Sequence, residues 1–502
     1  MESGGTLEPH TVVAHRGSQA RRAREALALA LILLAAVAAY RPFLALGHLG
    51  WDTWPLILTS RIASAADLLG SFREELMDGR YPNGHFYRPV TVLSLALDHA
   101  FWGLEASGYH LTDLALLLAC TALVAMLARR LLGPGVGPLA AALLYALHPL
   151  HVETLPVAAR RADTLAQLFT LLALIAASGR RRVLCALAAG LAVGSKESGS
   201  IVVPLLLALG FAQTGAGPAR ERLLASLRAG ALPIAAVGLV LLVRTAVLGG
   251  IGGHPGSSLL ASPGRGLALA PTYGLLLLMP QPVLRDGALV RAIALATASL
   301  LAVALALLAR DPSQRRLLLV SGVWLLGGLG LIGISGEIAS WYALALLPPF
   351  ALLVGALAQA AVRCAGQRRP WASALAAALS LLLLAQALRF SPLLHDYPEW
   401  ALVSARSRDF LARVQAAAEQ ARPGDSRTVP GIPLGVATPL ERVGVRSALG
   451  LAEYSVEAWA VLAVPGPPLL VTRLDGAAPS PPPRPDAIRI ETTADPEAGR
   501  LP

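Results

Sequence analysis

The sequence predicts an all-α polytopic membrane protein, and three observations carry that reading. Of 502 residues, 55% are hydrophobic and 15% charged, with a mean hydropathy of +0.60, a balance outside the range of soluble domains. Apolar runs long enough to enter a bilayer recur along most of the chain, separated by short arginine blocks. Those blocks account for the net charge of +11. Arginine gathered between apolar runs marks cytoplasmic loops under the positive-inside rule, so the basicity reports topology and implies no nucleic-acid partner.

Along the chain, residues 1–25 read as a polar cytoplasmic tail carrying Arg16, Arg21, Arg22 and Arg24. The apolar run 26–46 is the first span; its long polar leader and the lack of a convincing cleavage site favour a retained anchor over a removed signal. Later inside blocks are Arg129-Arg130, 180–182, 220–228, 310–316 and 363–369. Alternating them with arginine-poor loops gives about eleven spans, with 270–279 left as a re-entrant or interfacial segment. Trp51, Trp54, Trp102, Trp341 and Trp400 fall near outside span ends, where amphipathic rings settle at a headgroup layer.

The membrane domain is thus expected over 26–389, with a large first outside loop at 47–88. That loop holds Asp52, Asp67, Glu74, Glu75 and Asp78, and helically spaced apolar residues such as Leu56, Ile57, Ile62 and Leu68 suggest helices lying on the membrane surface. Past the last span the composition turns soluble. Val403, Phe410, Leu411 and Val414 recur at helical spacing and short apolar runs at 469–474 and 487–490 read as strands, predicting a small α/β outside domain over 390–477. Residues 478–502, with Pro481 to Pro483, read as a Pro-rich linker and tail. Cys120 and Cys185 lie in apolar spans and Cys364 at a helix end, with neither zinc spacing nor a disulfide setting.

Ionisable residues inside this apolar frame are the functional signal, because each costs about 2.5 to 3.5 kcal/mol at membrane depth. His148, His151, Glu153, Arg161, Asp163, Lys196 and Glu197 are such residues, and Lys196 is the only lysine in the chain. The runs 183–195 and 201–212 go out and return between inside arginine blocks. Thirteen helical residues rise only about 20 Å against a hydrocarbon core of about 30 Å, so the hairpin tip with Lys196 and Glu197 stops short of the surface and faces a cavity. A snorkelling lysine neutralised by Glu197 is the plain alternative. Arg161 is a candidate phosphate ligand. His148 and His151, spaced i, i+3 with Glu153 following, allow a divalent ion, though a hydrogen-bonded structural histidine is the commoner use of such a position and no metal ligand is assigned. Asp52 is the acid nearest the first span; as a plain structural residue it would cap the short helix that follows it.

Several blocks then stand together: Gly-His-Phe-Tyr-Arg-Pro-Val-Thr-Val-Leu-Ser at 84–94, Phe-Trp-Gly-Leu at 101–104, Gly-Tyr-His-Leu-Thr-Asp-Leu at 108–114, His-Pro-Leu-His-Val-Glu at 148–153 with Arg161-Ala-Asp163, Ser-Lys-Glu at 195–197, and Leu-Met-Pro-Gln-Pro at 278–282 with Asp286. In this order and over about residues 26 to 360, the chain resembles the transmembrane and tetratricopeptide-repeat O-mannosyltransferases and their bacterial relatives. The resemblance implies a GT-C glycosyltransferase that moves a sugar, with inversion, from a polyprenyl-phosphate carrier to an acceptor outside the cytoplasm. It also implies that the first loop supplies the catalytic carboxylate, here Asp52. Where many relatives carry two adjacent acids, this chain has Thr53 after Asp52; the tail shows no tetratricopeptide repeats, and the stretch from Trp341 to Pro348 matches loosely.

The expected assignment follows. Asp52 is the base; Arg88, Arg161 and Lys196 take the donor phosphate; His148, His151, Glu153, Asp163 and Glu197 line the sugar or acceptor cavity. The partners are a polyprenyl-phosphate-linked sugar, membrane lipid and an acceptor that is protein, lipid or glycan. The setting is a membrane, such as a bacterial inner membrane, with the N-terminus cytoplasmic and the C-terminal domain outside. No cofactor is assigned, and a divalent metal stays compatible. Without an Asp-x-Asp, P-loop or Gly-x-Gly-x-x-Gly signature, nucleotide-sugar chemistry is disfavoured. The rival readings are a transporter or flippase of a lipid-linked or polyanionic substrate, which would also bury charges at short helices but shows no internal repeat here, and a catalytically silent relative.

Overall fold

The computed structural model describes residues 9–79, 85–214, 217–254, 257, 262–278, 288–311, 314–335 and 339–420, and beyond these 432–436, 442–443, 447–448, 451, 453–464, 469–473 and 488–490. Helix α1 (Pro9–Tyr40) enters the membrane region and is followed by the first loop, with α2 (Thr53–Thr59) and α3 (Ala65–Gly70). Ser64 starts α3 with a reciprocal capping pair to Asp67. Then come α4 (Pro89–Trp102), α5 (Ala106–Leu132), α6 (Val136–Leu147), α7 (Arg161–Ser178), α8 (Arg182–Ser195) and α9 (Val202–Gln213). The remaining membrane helices are α10 (Ala219–Leu248), α11 (Ser262–Leu278), α12 (Ala288–Leu308), α13 (Arg315–Ser335), α14 (Leu347–Gly366) and α15 (Pro370–Arg389).

Sequence explains the boundaries locally. α4 begins on Pro89, whose missing N–H costs nothing in a first turn, and α5 begins only three residues after Gly103 stops α4. Among the described residues, seven segments are long and apolar enough to cross a membrane. This is fewer than the roughly eleven spans that alternation suggests, because several apolar segments form short helices: α6 and α9 have 12 residues and α8 has 14, rising about 18 to 21 Å. Of the segment 270–279, residues 270–278 belong to α11, which has 17 residues.

The bundle core lies between α5, α6, α7, α8, α9, α13 and α14, where Tyr145, Leu174, Leu205, Trp324, Phe350 and Leu357 pack together. α1 and α10 ring this core and present leucines such as Leu27, Leu31, Leu239 and Leu242 outward, as apolar side chains facing lipid should be.

The tail does not stand apart from the membrane domain. α16 (Pro398–Gln420) and α17 (Glu453–Ala463) bring Phe410, Val414, Val456 and Trp459 into one apolar core with Trp54 and Ile57 of α2. Strand Ile432–Val436 pairs in parallel with Leu469–Arg473 and Ile488–Ile490. The Pro481 to Pro483 run lies outside the described residues, as do residues 279–287 with Met279 to Pro282 and Asp286.

Candidate functional site

A cavity of about 330 Å³ opens where the α8/α9 hairpin tip meets the ends of α10 and α13, near the low end for small-ligand pockets. Its charged lining is Arg88, Lys196 and Arg244 against Asp163 and Glu197, so cations exceed carboxylates by one. Phe86, Trp324, Ile332 and Tyr342 supply apolar walls.

The hairpin tip is positioned by a turn that only glycine allows. A Cβ on Gly199 would lie 2.2 Å from the Ala192 carbonyl oxygen, so the chain folds back directly on the end of α8 and holds Lys196 and Glu197 at the cavity. Lys196 Nζ donates to both oxygens of Asp163, at 2.6 and 2.7 Å, and lies 4.8 Å from the centre of the Tyr342 ring. Arg88 donates to Glu197 Oε2 through Nε at 3.2 Å and Nη2 at 3.0 Å, with its guanidinium over Phe86. Lys196 is therefore paired with Asp163 rather than with its neighbour Glu197, because that carboxylate turns to Arg88. Nε of Arg244 and Oε1 of Glu197 are buried polar atoms of charged lining residues with no hydrogen-bond partner among the described residues. Arg244 also donates to the carbonyl of Ile251.

The rim on the first-loop side is stitched across the opening. His85 and Gly253 exchange two backbone hydrogen bonds, at 3.1 and 2.7 Å, and the Phe86 and His254 rings meet edge to face. Gly253 takes φ of +106° there, a conformation that L side chains rarely adopt.

Asp52 sits immediately before α2, but its side chain makes no cap bond. Its Oδ1 instead accepts a 2.8 Å bond from the Tyr454 hydroxyl. Burial pushes the Asp52 carboxyl above the usual carboxylate range, opposed by the Tyr454 bond and by the charges of Arg88 and Arg160. Thr53, where a second acid would stand, is buried and donates its hydroxyl back to the Leu49 carbonyl at 2.5 Å.

Four residues expected at the cavity are placed elsewhere. Arg161 is fully enclosed: it binds Asp113 through Nε and Nη2 at 2.7 and 3.1 Å, and Asp98 through Nη1 at 2.5 Å. Its remaining contacts are the Tyr109 carbonyl and Ser94, so no donor is left for a ligand phosphate. Glu153 pairs with Arg160, which also donates to the Glu153 carbonyl at 2.6 Å and stacks over Trp341 at 3.8 Å. His151 Nε2 meets the Tyr145 carbonyl at 2.7 Å. His148 accepts from Leu150 N–H at Nδ1 and faces the Leu277 carbonyl through Nε2, which fits a neutral ring with Nε2 as donor. None of these four lines the cavity. Among the described residues no three His, Cys, Asp or Glu side chains come together to hold a metal ion, and both cavity carboxylates are already paired with cations.

No family model matches the chain. Over 89 residues it is 42% identical to protein O-mannosyl-transferase TMTC2 of Mus musculus, covering 18% of this chain and 11% of that protein. Over 123 residues it is 37% identical to protein O-mannosyl-transferase Tmtc1 of Drosophila melanogaster, covering 24% and 13%. Its curated sequence relatives are protein O-mannosyl-transferases. The match spans little more than a tenth of their length. Among solved structures, ArnT of Cupriavidus metallidurans bound to undecaprenyl phosphate superposes with a TM-score of 0.49 at 15% identity, over 89% of this chain and 86% of that one. Oligosaccharyltransferase AglB of Archaeoglobus fulgidus gives 0.48 at 12%, over 88% and 64%. Both scores fall below 0.5.

The sequence reading assigned no role to Arg244, Asp98, Arg160 or Tyr454, and none of its own to Asp113, which stands in the 108–114 block. For Asp98 and Asp113 the signal was present, since each is an acid within an apolar helix. Arg244 stands near the end of a long apolar helix, as an ordinary interfacial arginine does, and Tyr454 carried no local signal at all.

Proposed function

We propose that the protein is a GT-C-type glycosyltransferase that moves a sugar, with inversion, from a polyprenyl-phosphate carrier to an acceptor on the outer face of the membrane. The observation that carries the reading is the cavity's charge set: two cations held in ion pairs and a third, Arg244, with a buried unpartnered Nε. A guanidinium with an unused N–H, in a wall where cations outnumber carboxylates by one, is a site for an anion, and a lipid phosphodiester supplies one at this depth. Glu197 Oε1, also unpartnered, is an acceptor for a sugar hydroxyl.

In this reading Asp52 takes the proton of the acceptor hydroxyl as that oxygen attacks the anomeric carbon. The bond from that carbon to the carrier oxygen breaks, the phosphate leaves with the electron pair, and Arg88, Lys196 and Arg244 offset its charge. Attack opposite the leaving phosphate inverts the anomeric centre. The raised pKa of Asp52 suits a base, which accepts a proton more readily as its pKa nears the working pH. The names of the sequence relatives make mannose the first sugar to test. Short helices that enter the membrane part-way stand beside the long ones and bring the number of membrane segments to about eleven, the N-terminus is cytoplasmic, and the tail packs as a small α/β unit outside.

The test is turnover of undecaprenyl-phosphate mannose by the full chain in proteoliposomes. Asp52→Asn should slow sugar release or transfer by about 10²- to 10⁴-fold while undecaprenyl phosphate still binds. An unchanged rate would remove Asp52 as the base. Movement of the lipid across the bilayer, with no turnover of any polyprenyl-phosphate sugar, would put a flippase in its place.

A further inference from the structure

The tail and the first loop touch through consecutive residues on each side. Tyr454 donates to the Asp52 side chain at 2.8 Å, and Ser455 donates to the Trp51 carbonyl. Behind this clamp, Val456, Trp459 and Ala460 of α17 share an apolar core with Trp54, Ile57 and Leu58 of α2. Asp52 occupies the position from which a carboxylate ordinarily caps a helix by accepting from its first amides, yet it makes no such bond. Asp52 has helical backbone angles, φ −91° and ψ −5°, and Pro55 offers no N–H at the third helical position, so the carboxylate is turned away from the helix start and held instead by the Tyr454 hydroxyl. Among the described residues Oδ2 accepts no hydrogen bond.

We propose that α17 is a built-in part of the catalytic site and that Tyr454 is a positioning residue, holding Asp52 by Oδ1 so that Oδ2 is the oxygen presented to the acceptor. This rests on the reading of Asp52 as the base. It assigns the C-terminal segment a task in the reaction: the Asp52 side chain has no cap bond to fix its direction, and the tail supplies the hydrogen bond that does.

The charged and titratable groups around Asp52 come from separate elements. Arg88 precedes α4, Arg160 belongs to the turn Ala158–Arg160, and Tyr454 comes from α17. Near the turn Leu76–Gly79, which also packs on α2, Glu75 is turned to His85 at 2.8 Å. Arg88 and Arg160 stay in place when the Tyr454 hydroxyl is removed, so the change isolates one hydrogen bond to the ionised carboxylate.

The experiment compares full-length wild type, Tyr454→Phe, Ser455→Ala, Trp459→Ala and Asp52→Asn in lipid nanodiscs. The infrared band of the protonated Asp52 carboxyl is obtained by subtracting Asp52→Asn and titrated with pH. Losing a hydrogen bond to the charged form should raise the midpoint by about one pH unit in Tyr454→Phe. Ser455→Ala, which leaves the hydroxyl of Tyr454 in place, should not move it, and Trp459→Ala, which loosens α17 itself, should move it in the same direction as Tyr454→Phe. The acid limb of undecaprenyl-phosphate mannose turnover should follow the infrared midpoint, with KM unchanged. A midpoint unmoved in both Tyr454→Phe and Trp459→Ala overturns the proposal even if the enzyme is active and Asp52→Asn is dead. If no sugar donor turns over, the carboxyl titration still decides the role of Tyr454, so the two readings fail separately.

Discussion

Arg161 and Arg244 are both guanidinium groups enclosed by helices of one bundle, yet they differ in how completely they are answered. Arg161 meets two carboxylates and the Tyr109 carbonyl, and no solvent reaches it. Arg244 looks into a cavity with its Nε unpartnered. The first arrangement converts a costly buried charge into a cross-brace between α4, α5 and α7. The second shares one carboxylate, Glu197, with Arg88 and leaves an N–H unsatisfied where a ligand can reach it. Burial of an ionisable residue in an apolar chain therefore marks a site only when its partners leave something unsatisfied.

Three measurements bear on that contrast. The largest effect should come from Arg161→Met, which strands Asp98 and Asp113 without a cation and should cost about 3 to 5 kcal/mol of stability. Thermal unfolding in nanodiscs reads the loss, turnover per folded molecule should persist, and adding Asp98→Asn with Asp113→Asn should recover most of the stability. Turnover lost at full stability would break the division between the two clusters. Next, Arg244→Gln should weaken binding of undecaprenyl phosphate by about 10- to 100-fold, the size of a charge-assisted hydrogen bond, with little change in melting temperature. The smallest effect is ionic. Raising salt from about 0.1 to 1 M shortens the Debye length from about 10 to 3 Å. Carrier affinity should drop several-fold, whereas the stability penalty of Arg161→Met should not change. Equal salt sensitivity would mean that both clusters see solvent.

Much of this was legible in the chain. Hydropathy and arginine placement gave the membrane bundle, and the short runs at 183–195 and 201–212 form α8 and α9, with Lys196 and Glu197 at their tip. Arg88, Asp163, Lys196 and Glu197, singled out as costly charges or by the block around 84–94, do line one cavity. What sequence did not reveal was who pairs with whom. Helical periodicity identifies the face a residue occupies, but the neighbour across that face depends on which helices pack together. Lys196 thus binds Asp163 on α7 rather than the adjacent Glu197, and Arg161 finds its carboxylates on α4 and α5. The docking of α17 on α2 is further removed still, since a ring and a hydroxyl some four hundred positions along the chain have no periodicity that points to Asp52.

Trp341 and Tyr342 are consecutive, and each carries a different cation: Arg160 lies over the first ring and Lys196 over the second. Arg160 contributes to the field at Asp52, and Lys196 belongs to the cavity wall. One dipeptide is thereby a shared hinge pin for two pieces of machinery. Glu153 and Asp163 fix where the two cations stand, and any rotation of that short stretch of backbone disturbs both stacking contacts together, so the loop side and the cavity wall are joined through a single peptide unit.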